Sequence, residues 1–371
     1  MPLISSFSGV RGIFDDGLSE RVAIRYSAHF LSFIRKKYTG KGKNAGKITI
    51  VIGTDTRPSR DILKKAIIEA LGCDIIDIGV SCTPMVELCV RHFKADGGII
   101  ITASHNEPEW NGFKFLDNDG GVLAASDMNS IILEYERSKK LSDLSFSKKY
   151  LQHTSDPKAF TERKVIQKYE ESNRAYIDFI LGFLSKTDID NIKKAKLKIF
   201  LDPNGGTGWI ARPILRRLGV SVKAINMEIG IFNRKVEPNE SSLFYLSNHV
   251  RDDKVDFAAG FDCDADRVEI MTEKGLVSGN HLLALIADSI LKNAKNKVIV
   301  VNNATSLMVR DVAKKYGAKY YEAEVGETNV VSLMYKLNAP IGGEGSSSGV
   351  IIPPNRCRDG PLTLVYLLKI L

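Results

Sequence analysis

Asp262, Asp264 and Asp266 place three carboxylates at alternate positions, directly after the apolar run Val255-Asp256-Phe257-Ala258-Ala259-Gly260-Phe261. Charges that close repel unless a cation draws them together. Oxygen-only donors suit a hard ion, Mg²⁺ before Mn²⁺ or Zn²⁺. Alternate spacing off a strand end sends all three side chains to one side. Two other readings compete. The run begins like an EF-hand, with Glu273 at its twelfth position, but Arg267 stands where the sixth position needs glycine for its sharp turn, and the entry reads as strand. A solvated acidic turn is the second. Cys263, a soft donor inside the loop, reads as filler.

A second reactive stretch is Thr102-Ala103-Ser104-His105-Asn106, followed by Asn111-Gly112-Phe113-Lys114. It comes straight after Gly97-Gly98-Ile99-Ile100-Ile101, which has the length and β-branched content of a buried strand. Ser104 therefore sits at a strand mouth, where α/β proteins usually place reactive groups. His105 offers a base, and Lys114 a fixed positive charge. Alone, the stretch reads equally as a polar turn. A cation at the aspartates shifts that reading. Mg²⁺ beside a serine nucleophile, with Arg267 adjacent, suggests phosphoryl transfer, in which the protein positions groups and neutralises charge. Ser104 would carry the phosphoryl group, supported by Arg11, Lys114 and Arg267.

Two further loops carry polar groups. Gly343-Glu344-Gly345-Ser346 offers an acid and a hydroxyl that suit sugar hydroxyls, although serine-glycine loops also serve as inert linkers. The loop from Asp202 to Gly208 looks like a phosphate cradle, but it lacks the Lys-Ser/Thr ending of a P-loop and the spacing of a dinucleotide fingerprint. It reads as a tight strand–helix turn. No Gly-x-Ser-x-Gly occurs, which counts against an α/β-hydrolase.

The elements that must position these residues follow a βαβ alternation, which argues for α/β architecture with largely parallel sheets covered by helices. The opening Phe7-Ser8-Gly9-Val10-Arg11-Gly12 reads as a glycine-punctuated turn carrying Arg11, and residues 20–38 as an amphipathic helix. Polar residues 139–165 read as a connector, with a helix from about 162 to 185 beyond it. Three times a hydrophobic strand empties into a Gly- or Asp-rich loop and then a helix. That pattern fits three units of similar design: residues 1–155 with the Ser104 loop, 156–253, and 254–371 with the aspartate loop at its start and the Glu344 loop further on.

Bulk properties bound the rest. At 371 residues the chain is too long for one ordinary core. A net charge of +8 favours anionic ligands such as phosphorylated metabolites. The basic run from Arg35 to Lys47 is interleaved with Gly and Asn and lacks the aromatic interleaving of single-strand binders, and no zinc-finger or RNP pattern occurs, so nucleic acid is not the expected partner. No apolar run reaches transmembrane length, so no membrane contact is expected and the cytoplasm is the expected location. The five cysteines form no Cys-x-x-Cys pair, which argues against a disulfide framework or structural zinc. An oligomer is possible, but its state is not written in the sequence.

Taken in order, these motifs resemble the α-D-phosphohexomutase superfamily, which includes phosphoglucomutase, phosphomannomutase and phosphoglucosamine mutase. The Ser104 stretch with Asn111–Lys114 resembles the family's phosphoserine loop. Asp262-x-Asp264-x-Asp266-Arg267 resembles its metal loop, Gly343–Ser346 its sugar-binding loop and Phe7–Gly12 its N-terminal signature; Arg358-Asp359-Gly360 continues the agreement. The resemblance implies three phosphoglucomutase-type α/β domains with mixed sheets around a central cleft. It implies one Mg²⁺ per chain, held by Ser104, Asp262, Asp264 and Asp266, and hexose 1,6-bisphosphate as activator. It also implies a phosphorylated Ser104 that hands its phosphoryl group to a hexose 1-phosphate and takes another back from the bisphosphate intermediate, leaving the 6-phosphate. Arg11, His105, Lys114 and Arg267 would serve the phosphoryl group and the proton transfers, and Glu344 and Ser346 the sugar hydroxyls. There are departures. Glu107 stands where the family usually has proline, and Ser347-Ser348-Gly349 replaces the usual continuation of the sugar loop. No Arg-x-Ser-Gly-Thr loop, which the family carries in a fourth, C-terminal domain, occurs within these 371 residues. That leaves two further expectations: a truncated or partly recorded chain, or a paralogue that binds phosphosugars without turning them over.

Overall fold

β-Branched runs bounded by Gly and Asp become strands, and the amphipathic stretches between them become helices. The computed structural model describes residues 3–39, 48–151, 163–345 and 349–371. Its contacts divide the chain into two units. One holds Met1–Ser81, Met85–Ala103 and Pro108–Ser172; the other holds Cys82–Pro84, Ser104–Glu107 and Asn173–Leu371. Among the described residues no helix is long and apolar enough to cross a membrane.

The first unit is built on strands β1 (Ile4–Ser6), β2 (Gly9–Phe14), β3 (Gly17–Leu18), β4 (Thr49–Thr54), β5 (Asp74–Val80), β6 (Gly97–Ile101), β7 (Trp110–Leu116) and β8 (Val165–Gln167). They form one sheet in the order β1-β2-β7-β6-β4-β5-β8, with β3 beside β2. Strands β6, β4, β5 and β8 run parallel to one another, whereas β7 pairs antiparallel with β6 and β2, and β1 antiparallel with β2. The sheet is thus mixed rather than largely parallel. Every residue of β6 is buried, as expected for a central strand covered on both faces. Tyr26, Phe30 and Ile34 recur at helical spacing on Glu20–Thr39 and pack on Ile50, Ile52, Ile99, Ile101, Phe113 and Phe115.

Two expectations fail here. Phe7–Gly12 is largely strand, since β2 covers Gly9–Phe14 and pairs with both β1 and β7. The turn is confined to Phe7 and Ser8, which join β1 to β2 where Ser6 pairs with Gly9, and Gly9 also packs closely: a Cβ on it would lie 2.4 Å from the Phe113 carbonyl oxygen. The expected helix from 162 begins later. Val165–Gln167 form β8, a parallel edge strand on β5, and the helix runs over Tyr169–Leu181. Short β-branched runs take an open sheet edge more readily than a helix start. The connector holds a short helix, Asp143–Phe146, and a π turn, Ser147–Leu151.

The second unit contains two smaller sheets. One comprises β9 (Lys198–Asp202), β10 (Ser221–Ala224), β11 (Phe257–Phe261), β12 (Val268–Thr272) and β13 (Gly275–Val277), in the order β10-β9-β11-β12-β13. The other comprises β14 (Val298–Asn302), β15 (Lys319–Ala323), β16 (Ile341–Gly343) and β17 (Val350–Ile351), in the order β15-β14-β16-β17. Each has a parallel three-stranded part extended by antiparallel strands. The repeated strand–loop–helix pattern thus builds three mixed sheets.

The Asp202–Gly208 loop is a brace, in line with its reading as a tight turn. Thr207 donates twice to the Cys263 carbonyl, from its backbone N at 2.8 Å and from Oγ1 at 3.0 Å. A Cβ on Gly206 would lie 2.8 Å from that same carbonyl oxygen. Buried Asp202 accepts from Arg234 Nε at 2.6 Å and Tyr245 Oη at 2.6 Å, and Arg234 Nη2 reaches the Phe261 carbonyl at 2.7 Å. The loop therefore holds the end of β11, where the aspartates begin.

Candidate active site

Strand β11 is buried along its whole length, and the chain leaves it as Asp262-Cys263-Asp264-Ala265-Asp266-Arg267. Ala265 takes a left-handed conformation (φ +52°), which turns the loop back on itself. Asp262, Asp264 and Asp266 are buried, and one oxygen from each lies within 4.8 Å of the others. Their remaining contacts orient them. Thr83 Oγ1 donates to Asp264 Oδ2 at 2.6 Å, and the Thr83 backbone N donates to the Asp264 carbonyl at 2.9 Å. The Arg267 backbone N donates to Asp262 Oδ1 at 3.2 Å. Arg358 Nη2 donates to Asp266 Oδ2 at 3.2 Å.

Two oxygens of the cluster, Oδ1 of Asp264 and Oδ1 of Asp266, are buried and accept no hydrogen bond. A buried acceptor without a donor is costly, and three carboxylates together compound that cost. Burial first, then the charges of Asp266 and Asp264, push the Asp262 carboxyl well above its usual range; Arg267 offsets this only in part. Such a cluster calls for a cation. The all-oxygen donor set fits a hard divalent ion.

Ser104 follows β6 and belongs with the second unit. Its Oγ lies 3.5 Å from Asp262 Oδ2 and 3.4 Å from His105 Nδ1. The residue is buried with φ +54°, a left-handed conformation that a non-glycine residue adopts only when its surroundings enforce it. Part of that enforcement lies just upstream in the chain. Thr102 Oγ1 donates to Asp55 Oδ2 at 2.7 Å, and Thr102 N donates to the Gly112 carbonyl at 3.0 Å. Asp55 is in turn gripped by the fully buried Arg57, through Nε to Oδ2 at 2.9 Å and backbone N to Oδ1 at 3.0 Å. Arg57 Nη1 also reaches the Trp110 carbonyl at 2.9 Å.

Arg11 and Lys114 lie on neighbouring strands of the first unit. Arg11 on β2 is opposite Gly112 on β7, which puts Lys114 on the same sheet face as Arg11. Phe113 and Phe115 take the other face and enter the core. Arg267, beyond the aspartates, extends Nη1 to Glu237 Oε1 at 3.3 Å and holds Nε 3.7 Å from Asp266 Oδ1.

Glu344 is also buried. Its Oε1 accepts from Asn302 Nδ2 at 2.9 Å and from the Gly326 backbone N at 3.0 Å, while Oε2 pairs with Arg358 Nη1 at 3.1 Å. Ser346 lies outside the described residues. Sequence reasoning noted Arg358 only within Arg358-Asp359-Gly360 and gave it no role, and it missed Glu327, Asn302, Thr83 and the Asp55–Arg57 pair as site residues. Arg358 stands directly ahead of Asp359, the N-cap of the helix Gly360–Ile370.

Comparison with known proteins identifies the family. Residues 4–142, 174–275 and 278–371 match domains I, II and III of the family described as phosphoglucomutase/phosphomannomutase, alpha/beta/alpha. A Thermococcus kodakarensis phosphoglucomutase/phosphomannomutase is 34% identical over 370 residues, spanning 98% of this chain and 75% of that relative. A Methanopyrus kandleri protein named "Probable phosphoglucosamine mutase" is 30% identical over 371 residues, with 98% and 75% covered. A crystal structure of a Burkholderia thailandensis phosphoglucomutase/phosphomannomutase family protein superposes with a TM-score of 0.80, at 20% identity, over 99% of this chain and 77% of that one; it supports the fold. Domains and site together define an enzyme of the phosphotransferase and isomerase kind, built from three α/β domains with mixed sheets. The chain belongs to the phosphoglucomutase/phosphomannomutase family, within the α-D-phosphohexomutase superfamily.

Proposed function

We propose that the chain interconverts hexose 1-phosphate and hexose 6-phosphate, with Ser104 as the phosphoryl carrier. The observation that carries this reading is a buried, conformationally strained serine 3.5 Å from the first of three clustered carboxylates. Phosphoserine 104 gives its phosphoryl group to the free 6-hydroxyl of a hexose 1-phosphate: the bond to Ser104 Oγ breaks and the bond to O6 forms. After the bisphosphate turns over, Ser104 Oγ takes the phosphoryl group from O1, and the 6-phosphate leaves.

His105, with Nδ1 3.4 Å from Ser104 Oγ, takes part in the proton transfers. Asp262, Asp264, Asp266 and an oxygen on Ser104 would hold Mg²⁺, which when bound offsets the charge of the phosphoryl group. Arg11, Lys114 and Arg267 supply fixed positive charge by the match of their motifs. Glu344, together with Ser346, binds sugar hydroxyls. Glu344 Oε1 already accepts two N–H groups, so the capacity left for a hydroxyl is on Oε2, beside its contact with Arg358 Nη1. Hexose 1,6-bisphosphate primes Ser104.

The names of the relatives include gluco-, manno- and glucosamine mutases. A coupled assay with glucose 1-phosphate, mannose 1-phosphate and glucosamine 1-phosphate, plus Mg²⁺ and the cognate bisphosphate, tests the proposal. Turnover of at least one, abolished in Asp262→Asn, is expected. Turnover of none, or an Asp262→Asn variant as active as wild type, would sink it.

A further inference from the structure

Arg358 joins two loops that the proposed reaction uses for different purposes. Its buried guanidinium meets three carboxylates along three directions: Nη2 to Asp266 Oδ2 at 3.2 Å, Nη1 to Glu344 Oε2 at 3.1 Å, and Nε to Glu327 Oε2 at 3.0 Å. The Arg358 backbone N adds a bond to Glu327 Oε2 at 2.8 Å. One positive charge is thus divided among an aspartate of the cation cluster, the carboxylate assigned to the sugar, and Glu327.

We infer that Arg358 is a positioning residue that couples cation binding at Asp266 to the presentation of Glu344. The inference rests on the proposed roles of the aspartate cluster and of Glu344. Arg358 holds Oε2, the Glu344 oxygen with capacity left for a sugar hydroxyl. It also neutralises part of the charge on Asp266 that a cation would draw on. With a cation held by the cluster, Asp266 would share less of its charge with Arg358, leaving the guanidinium to Glu344 and Glu327. The planar fork of arginine suits this task, since each edge serves a different acceptor.

The two halves of this coupling respond to loss of the guanidinium with opposite sign. Without it, Asp266 carries more uncompensated negative charge, so the cation binds more tightly. Glu344 Oε2 loses its anchor, so the sugar phosphate binds more weakly. A merely structural tie would weaken both together.

The test measures two quantities on the full chain for wild type, Arg358→Gln and Arg358→Lys. They are the Kd for Mg²⁺ alone by titration calorimetry, and KM with kcat for the sugar 1-phosphate that wild type turns over. In Arg358→Gln, Mg²⁺ affinity is expected to rise and KM to increase by about tenfold, near the lower end of usual site-to-site couplings. Arg358→Lys keeps the charge but loses the fork, so Mg²⁺ affinity is expected to stay within about twofold of wild type while KM still rises.

If Arg358→Gln does not fold, Glu327→Gln gives the complementary reading. It frees Arg358 for Asp266 and should weaken Mg²⁺ binding; unchanged Mg²⁺ affinity there overturns the inference. Weakened Mg²⁺ binding and raised KM together in folded Arg358→Gln also overturn it, with the proposed function intact. A wild type that neither binds Mg²⁺ nor turns over a sugar phosphate overturns both.

Discussion

The Asp55–Arg57 pair offers a quantitative test of how the Ser104 loop is held. Both side chains are fully buried, and Arg57 Nε lies 2.9 Å from Asp55 Oδ2. Asp55→Ala leaves a buried guanidinium without its carboxylate and removes the acceptor that holds Thr102 Oγ1 at 2.7 Å. Arg57→Met leaves a buried carboxylate without its main cation. Removing one partner of a buried pair costs about 3–5 kcal/mol, whereas replacing both with apolar groups is far less costly. The double variant should therefore be no less stable than either single one. The coupling in the cycle should reach about 3 kcal/mol, the upper end of the range for contacting residues.

The assay can be confined to the unit concerned. The chain has two tryptophans, Trp110 and Trp209, and Trp110 accepts from Arg57 through its carbonyl. In a Trp209→Phe background, urea unfolding followed by fluorescence reports on the first unit through Trp110. Thr102 stands two residues before Ser104, so Asp55→Ala should also lower kcat more than KM changes. Additive single effects, or singles costing under about 1 kcal/mol, a surface-like value, would refute the claim that this pair pins the loop.

Three further outcomes are expected. Ser104→Gly should abolish phosphoryl transfer yet stabilise the fold by about 1 kcal/mol relative to Ser104→Ala, because glycine adopts a φ of +54° without strain; chemical denaturation checks this. Burial pushes the His29 imidazole from its ordinary 6.5 down to about 4, beside Ser138 Oγ at 2.8 Å. The unfolded chain then binds the proton first, so stability of the first unit should fall as pH drops from about 6.5 to about 4, by up to about 3 kcal/mol, and His29→Gln should flatten that slope in the Trp110 signal. Mg²⁺ at about 100 times its Kd should raise the unfolding free energy by about 2.7 kcal/mol, an increment removed by EDTA and absent in Asp264→Asn.

Much of the site was legible because its chemistry is local in sequence. The alternate spacing of Asp262, Asp264 and Asp266 off a strand end made them the candidate cation ligands over an EF-hand or an acidic turn, and Ser104, by itself equally a polar turn, became a candidate only beside them. The fold class was legible for a related reason: strands such as Ile99–Ile101 are buried on both faces and carry no polar alternation. Sheet direction was less so, because β2 and β7 pair antiparallel through glycines whose role is close approach rather than turning. Long-range partners were invisible. Arg358 stands 92 residues from Asp266 and 31 from Glu327, and nothing in its neighbours advertises either contact. Thr83 lies 181 residues from Asp264 and reads as an ordinary helix start. Asp55 and Arg57 stand in a polar stretch after a strand with nothing to mark them as a pair, yet their side chains are wholly buried.

The central claim, that Ser104 carries the phosphoryl group, is tested most directly by intact mass. The chain is incubated with hexose 1,6-bisphosphate and Mg²⁺, then weighed alongside Ser104→Ala. A gain of one phosphoryl group in wild type, mapped to Ser104 by fragmentation and absent in Ser104→Ala, is the predicted result. Turnover by a chain that never gains that mass, or a label on another residue that survives Ser104→Ala, would contradict it.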